Sequence, residues 1–322
     1  MSRQKTVVIT GITSFAGYHL ARHFSREGFL VVGTSTGAVK HRDGVEALRL
    51  MKLADSSVIS ESLDITKSDE LTSFIARYRP DFWIHHAGWT KDYRSPLFDL
   101  GRAYAINVAP LATVYQSLKE TACRGVIITG TDGEYGNSNE IHREDEACMP
   151  LTPYGLSKLS ETIRSYQLSM QHGIPTRVAR LFIPYGPLDA PQKMLSSTVK
   201  ALRERRVIDL SSCEQSRDFL YIDDVVCGYM ALIRDMEERS SIFDIFNICS
   251  GKAVTLKQLL LSIAGALSSD AALLSFGALE QRALEAPVCY GDNSKALQRL
   301  KWKPAPIEEG ISRFLSLPEE LV

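Results

Sequence analysis

In this 322-residue sequence, Tyr154 and Lys158 are the pair of side chains best suited to moving a proton. Thr152 and Pro153 just ahead of them read as a helix start, with Thr152 as N-cap and Pro153 in the first turn, where its missing N–H costs nothing. Four residues apart on a helix, the two side chains share a face. A tyrosine hydroxyl in water titrates near ~10, and an ammonium held beside it favours the phenolate and lowers that value. The spacing therefore predicts a tunable acid/base. A second group follows the apolar run from Gly125 to Thr129: Thr131, Asp132 and Glu134 place a hydroxyl and two carboxylates just past an expected strand. Open α/β sheets put their chemistry at such strand ends, although Asp and Gly together also suit a plain turn.

These side chains need a scaffold, and the first half of the chain reads as one. Thr6 to Thr10 is a β-branched run suited to a strand buried on both faces. It ends in Gly11-Ile12-Thr13-Ser14-Phe15-Ala16-Gly17, ahead of an amphipathic helix with Leu20, Ala21 and Phe24 on its apolar side and a second strand, Phe29 to Gly33. A turn without side chains lets a pyrophosphate reach the backbone, where a helix N-terminus offers free N–H groups. Ser14 stands where such loops often have a middle glycine. The second strand runs out through Thr34, Ser35 and Thr36 with no carboxylate for a ribose 2′-hydroxyl, and Lys40, His41 and Arg42 follow. That pattern leans towards NADP(H), with NAD(H) and a merely solvated basic loop as the alternative.

Strand and helix keep alternating. Ser62 to Ile65 ends a segment where Asp64 could reach an adenine amino group, Leu71 to Tyr78 is amphipathic, and Phe82 to Gly88 is the next strand. His85 and His86 are neighbours on that strand and so face opposite ways, which argues against a metal pair. Asn107 falls in a helix beginning near Arg102. Further on, the sequence predicts helices over Lys193 to Glu204, Leu256 to Leu267 and Ser294 to Leu300. It predicts strands over Val207 to Leu210, Phe219 to Ile222 and Ala271 to Leu274.

Composition narrows the function classes. Hydrophobic residues make up 44% and charged residues 23%, and the formal net charge of −1 gives no bulk positive field for nucleic acid. The six cysteines form no Cys-x-x-Cys spacing, so neither a zinc site nor a disulfide framework is expected. No apolar run has membrane-spanning length, and a cytoplasmic protein is expected.

Taken in order, these motifs resemble the extended short-chain dehydrogenases, the NAD(P)-dependent nucleotide-sugar epimerase, dehydratase and reductase group. The resemblance runs through Thr10 to Gly17, Asp64-Ile65, Trp83 to Gly88, Asn107-Val108, Thr131 to Gly136, Tyr154 to Lys158, Arg180 to Pro187 and Arg217 to Val225. It continues at Phe246 to Gly251 and from Asp292 to Pro304. It implies an α/β fold, a Rossmann-type doubly wound parallel sheet, in residues 1–180, with segments near 219–248 returning to it. Residues 181–322 would form mainly an interleaved substrate domain. It also implies a homodimer packed through the helices near Arg102 to Thr121 and Pro153 to His172.

By this resemblance Tyr154 is the catalytic acid/base, Lys158 holds the nicotinamide ribose and lowers the tyrosine pKa, and Thr131 and Asp132 act at the reacting sugar. Cofactor contacts are implied for Gly11, Thr13, Ser14, Phe15, Gly17, Ser35, Asp64, Ile65, His86, Ala87, Gly88, Asn107, Thr129 and Leu181. Substrate contacts are implied for Thr90, Asp132, Gly133, Arg217 and Arg282, with the arginine forks on a nucleotide diphosphate. Two departures bear on the reaction. Gly133 stands where dehydratases of the group have a glutamate base, and Ile183 stands where an asparagine usually reaches the substrate phosphates. The leading expectation is therefore an NADP(H)-preferring reductase of a nucleotide-linked 4-keto-6-deoxyhexose, with a C4 epimerase as the alternative on the same side chains. A 4,6-dehydratase using a shifted Glu134, or a dinucleotide sensor without catalysis, are the remaining readings.

Overall fold

The computed structural model describes residues 3–37, 43–138, 140–281, 285–318 and 321. Seven parallel strands form its main sheet: β1 (Thr6–Thr10), β2 (Leu30–Ser35), β3 (Ile59–Ser62), β4 (Phe82–His85), β5 (Gly125–Thr131), β6 (Thr176–Leu181) and, much later in the chain, β11 (Phe243–Ile248). The order across the sheet is β11-β6-β5-β4-β1-β2-β3, so the winding reverses between β1 and β4. A doubly wound sheet opens a crevice at that reversal, at the carboxyl ends of the strands. Every residue of β1 and β4 is buried, as their unbroken apolar runs require.

Helices cover both faces: α1 (Phe15–Arg26), α2 (Gly44–Ala54), α3 (Ser68–Tyr78), α4 (Leu100–Ala103), α5 (Leu111–Glu120) and α6 (Pro153–His172). One core layer packs α1 under the sheet with Tyr18, Leu20 and Phe24. The opposite layer holds Leu71, Phe74, Trp83, Tyr115 and Leu118. Thr152 caps α6 by accepting from Gly155 N at 3.1 Å, and Gly173, at φ 66°, ends the helix in the left-handed region. The single helix expected from Arg102 is broken: after α4 a π-helical turn spans Tyr104–Val108, and Pro110 precedes α5.

Beyond β6 lie β7 (Ile183–Tyr185), α7 (Met194–Arg203), β8 (Ile208–Leu210), β9 (Ser216–Arg217) and β10 (Phe219–Tyr221). The chain then returns beneath the main sheet as α8 (Ile222–Glu238) and enters it as β11. It leaves again through β12 (Val254–Thr255), α9 (Leu256–Ala266), β13 (Leu274–Phe276) and β14 (Val288–Cys289), and ends in α10 (Ser294–Arg299) and α11 (Ile307–Leu315). These smaller sheets and α7, α9 and α11 share a third core around Leu195, Val199, Phe219, Leu260 and Phe314. The strand expected over Ala271 to Leu274 is a correction: Ala271–Leu273 is a 3-10 turn, because Asp270 accepts from Ala272 N at 2.9 Å and bends the chain before β13 begins. Among the described residues no helix is long and apolar enough to cross a membrane. No cluster of His, Cys, Asp or Glu among them is placed to hold a metal ion.

Candidate active site

Because the strands are parallel, the turns after β1, β4 and β5 meet at one edge. Gly11, at φ 78°, is folded so closely on β4 that a Cβ would lie 3.0 Å from the Ala87 Cα, and a Cβ on Gly17 would lie 2.2 Å from the Gly11 carbonyl oxygen. Both positions need glycine. Ser14 does not: as N-cap of α1 its Oγ accepts from Gly17 N at 3.1 Å and donates to the Gly11 carbonyl at 2.8 Å. Having spent its one proton there, the same hydroxyl accepts from His86 Nε2 at 2.8 Å. The neutral ring then accepts at Nδ1 from Thr129 Oγ1 (3.0 Å), and Thr129 in turn accepts from the Tyr229 hydroxyl (2.7 Å). Burial and the nearby Lys158 charge push the His86 imidazolium down to about 4, which keeps the ring neutral as this chain of bonds requires. The glycine turn, open to the backbone and facing the first turn of α1, fits a dinucleotide pyrophosphate.

The remaining cofactor candidates line the same edge. Thr13 is buried and its carbonyl accepts from Arg49 Nη1 at 2.7 Å, while Phe15 lies beneath the Lys193 ammonium. Ser35 closes β2 and its carbonyl accepts from Leu63 N at 3.0 Å. Asp64 Oδ1 accepts from Thr66 N and Oγ1 at 3.0 and 2.7 Å, bonds that hold its carboxyl below the usual range, and Ile65 is buried beside it. Lys40, His41, Arg42 and Arg282 lie outside the described residues. His85 and His86 do face opposite ways, the first towards α6 and the second towards the glycine turn. Past Ala87, Asn107 approaches Gly88, accepts from Trp89 N at 2.7 Å and donates to Ser157 Oγ at 3.3 Å. The π-helical turn thus clamps the β4 exit to α6. Thr90 is exposed in the next loop.

At the end of β5, Thr131 caps the 3-10 turn Asp132–Glu134. Its Oγ1 accepts from Gly133 N (3.2 Å) and donates to Asp132 Oδ1 (2.9 Å), and Leu181 pairs with Thr131 across to β6. Burial raises the Asp132 carboxyl above its usual range, and the Cys289 thiol lies 3.8 Å from its other oxygen. Glu134 is not available as a shifted elimination base. It is fully buried, accepts from Arg180 Nε at 3.0 Å, Thr162 Oγ1 at 2.9 Å and Thr131 N at 3.0 Å, and so serves the turn itself.

Tyr154 stands in the first turn of α6 with its ring edge-on to Tyr93 (5.4 Å) and Phe98 (5.9 Å), both from the loop before α4. Here the expectation of a lowered pKa needs correction. Burial, then the negative field of Glu161, pushes the Tyr154 hydroxyl upwards. Lys158 does share the helix face, but its Nζ is bound to Glu161 Oε2 at 2.5 Å, so its charge is already partnered. Sequence reading passed over Glu161, although its place three residues after Lys158 is visible once the helix phase is fixed. Tyr93 and Phe98 carried no spacing signal, since an irregular loop delivers them.

Arg217, on β9, lies farther along the cleft. Its Nη2 binds Glu285 Oε1 at 2.9 Å, and Gln215 reaches the same carboxylate. A cavity of ≈ 350 Å³ opens here, lined by Arg94, Ile183, Tyr185, Lys193, Arg217 and Glu285 among others.

The family model described as "NAD dependent epimerase/dehydratase family" matches residues 7–249. A UDP-glucuronate 4-epimerase of Thermodesulfobacterium geofontis is 25% identical over 317 residues, 97% of this chain and 96% of that protein. A dTDP-4-dehydro-6-deoxyglucose reductase of Escherichia coli is 29% identical over 253 residues, covering 76% and 77%. Among solved structures, a UDP-glucuronic acid 4-epimerase from Bacillus cereus, in complex with UDP-glucuronic acid and NAD, superposes with a TM-score of 0.83 at 22% identity over 96% of this chain and 98% of that one.

Proposed function

Because this chain belongs to the NAD dependent epimerase/dehydratase family, we propose that it epimerises a nucleotide-linked sugar at C4. The observation that carries this reading is that the start of α6, with Tyr154 and Lys158, packs on the turn that Thr131 caps, where a Cβ on Gly155 would lie 2.0 Å from the Gly133 carbonyl, at the same sheet edge as a glycine turn fit for a dinucleotide. The near full-length match to a 4-epimerase favours it over the reductase expected from sequence. The chemistry supplied by a nicotinamide held there would be reversible hydride transfer at C4, and inversion requires the 4-keto sugar to turn its opposite face to the ring before the hydride comes back. The side chains do the rest. Tyr154 removes the proton from the C4 hydroxyl and later restores it, Thr131 hydrogen-bonds that oxygen, and the positive charge that a phenolate needs comes from Lys158 to the extent that Glu161 releases it. Gly11, Ser14 and Gly17 would hold the pyrophosphate, and Arg217 the substrate diphosphate once Glu285 gives way. The absence of a usable base at Gly133 or Glu134 argues against dehydration.

The reductase remains the second reading, favoured by one feature: the end of β2 has no carboxylate to select against a 2′-phosphate. Purified protein should carry NAD(H) and convert a UDP-hexose or UDP-uronate to its C4 epimer without added cofactor. Consumption of NADPH with a 4-keto-6-deoxy sugar nucleotide, and no isomer formed, would establish the reductase instead. Under either reading Tyr154→Phe should lower turnover by about 10²–10⁴-fold while leaving dinucleotide binding intact.

We also propose a homodimer. Leu156, Ile163, Tyr166 and Met170 form an exposed apolar stripe along α6, at spacings that keep them on one face.

A further inference from the structure

We propose that Glu161 is a positioning residue of the acid/base pair, whose carboxylate competes with the Tyr154 phenolate for the single Lys158 ammonium. This rests on the reading of Tyr154 as the proton-transfer group. Tyr154, Lys158 and Glu161 follow one another at helical spacing on α6, so all three lie along one stripe. Lys158 and Glu161 are both buried, at 6% and 0% exposure, and bonded at 2.5 Å. The other carboxylate oxygen, Oε1, has no hydrogen-bond partner and lies 4.0 Å from His85 Nε2, which also has none. His85 Nδ1 accepts from Trp83 Nε1, a donor only, so the neutral ring carries its proton on Nε2, facing Glu161. His85 itself supplies no charge, because burial pushes its imidazolium down to about 3.

The groups facing Glu161 come from every element around it: Lys158 and Tyr154 on α6, His85 on β4, Tyr115 on α5, Glu134 in the turn after β5 and Tyr229 on α8. Of these only Lys158 is a cation, while Glu134 is satisfied by Arg180. One ammonium in a buried site cannot offset a carboxylate and a phenolate together. Ionising Tyr154 therefore works against ionised Glu161, and the two titrations are coupled. Burial raises the Glu161 carboxyl above its usual range, against the pull of Lys158. With Glu161 ionised the Lys158 charge is offset by its neighbour; with Glu161 protonated the full ammonium charge acts on Tyr154.

The test follows Tyr154 ionisation in the NAD-saturated protein by ultraviolet difference absorbance of the phenolate, with Tyr154→Phe identifying the signal. In Glu161→Gln the Tyr154 signal should appear about one pH unit or more lower than in the unsubstituted protein. Glu161→Asp keeps the charge but draws it back from Lys158, so its curve should fall between the two. It also provides the readout if the Gln variant fails to fold. Coincident curves, or a later signal in Glu161→Gln, would overturn the proposal, because a merely structural ion pair does not move this titration. No sugar substrate enters the measurement. A failure of C4 epimerisation would thus be distinguishable from a failure of this coupling.

Discussion

Ser14 and His86 illustrate how neighbouring side chains fix a proton. The Ser14 hydroxyl serves Gly17 and Gly11 at once, and this dictates the tautomer of His86, which then reads out to Thr129 and Tyr229. None of that order is visible in the sequence, which shows only a serine in place of a glycine and two adjacent histidines. Tyr154 and Lys158 were legible because helix spacing alone makes them neighbours. Their electrostatics were not, because burial and Glu161 reverse the sign expected from the pair in isolation. A third histidine gives a pH prediction that is independent of the site. His19 bonds the Pro187 carbonyl at 2.8 Å, and burial lowers its imidazolium from 6.5 to about 4. Its contribution to stability is whole above pH 6.5 and is lost as pH falls towards about 4, since the unfolded chain takes up the proton first. His19→Gln keeps a donor for Pro187 but does not titrate. Thermal unfolding should show it gaining on the unsubstituted protein as pH drops through that window. A constant difference in Tm across the window would rule this out.

Elements were read best where their residues repeat a simple period. The buried strands β1 and β5 and the capped helix α6 follow directly from β-branched runs and a Thr-Pro start. The turn at Ala271 was misread because two alanines and a leucine ahead of Leu274 satisfy a strand and a 3-10 turn equally, and only the Asp270 side chain decides. The π-helical turn was hidden for a different reason: it exists to bring Asn107 under Trp89, a tertiary demand with no local signature. The β1 to α1 turn makes the sharpest element-level prediction. An added methyl in Gly17→Ala meets the Gly11 carbonyl at 2.2 Å, so the turn must open and its cradle with it. Dinucleotide affinity, followed by NADH fluorescence, should fall on the order of tenfold or more, about 1.4 kcal/mol. Unchanged binding would show that the cradle lies elsewhere.

At the scale of the whole molecule, the apolar stripe on α6 is the surface proposed to join two copies of the chain. Placing charge on it with Ile163→Glu and Met170→Glu should convert a dimer to a monomer in sedimentation analysis, with the far-ultraviolet spectrum preserved. A monomeric unsubstituted protein, or a dimer untouched by both changes, would remove that surface from consideration. The chain also leaves the main sheet after β6, comes back as α8 and β11, departs again, returns to pack α10 against β11 and ends with α11 against β10. Such weaving means that the part bearing Arg217 and Ile183 cannot be exchanged between relatives as a cassette, because no single cut separates it from the sheet. Changes in what this scaffold recognises have to accumulate one side chain at a time. Residues lining the cleft, such as Ile183 and Glu285, can then vary singly while the backbone plan is kept.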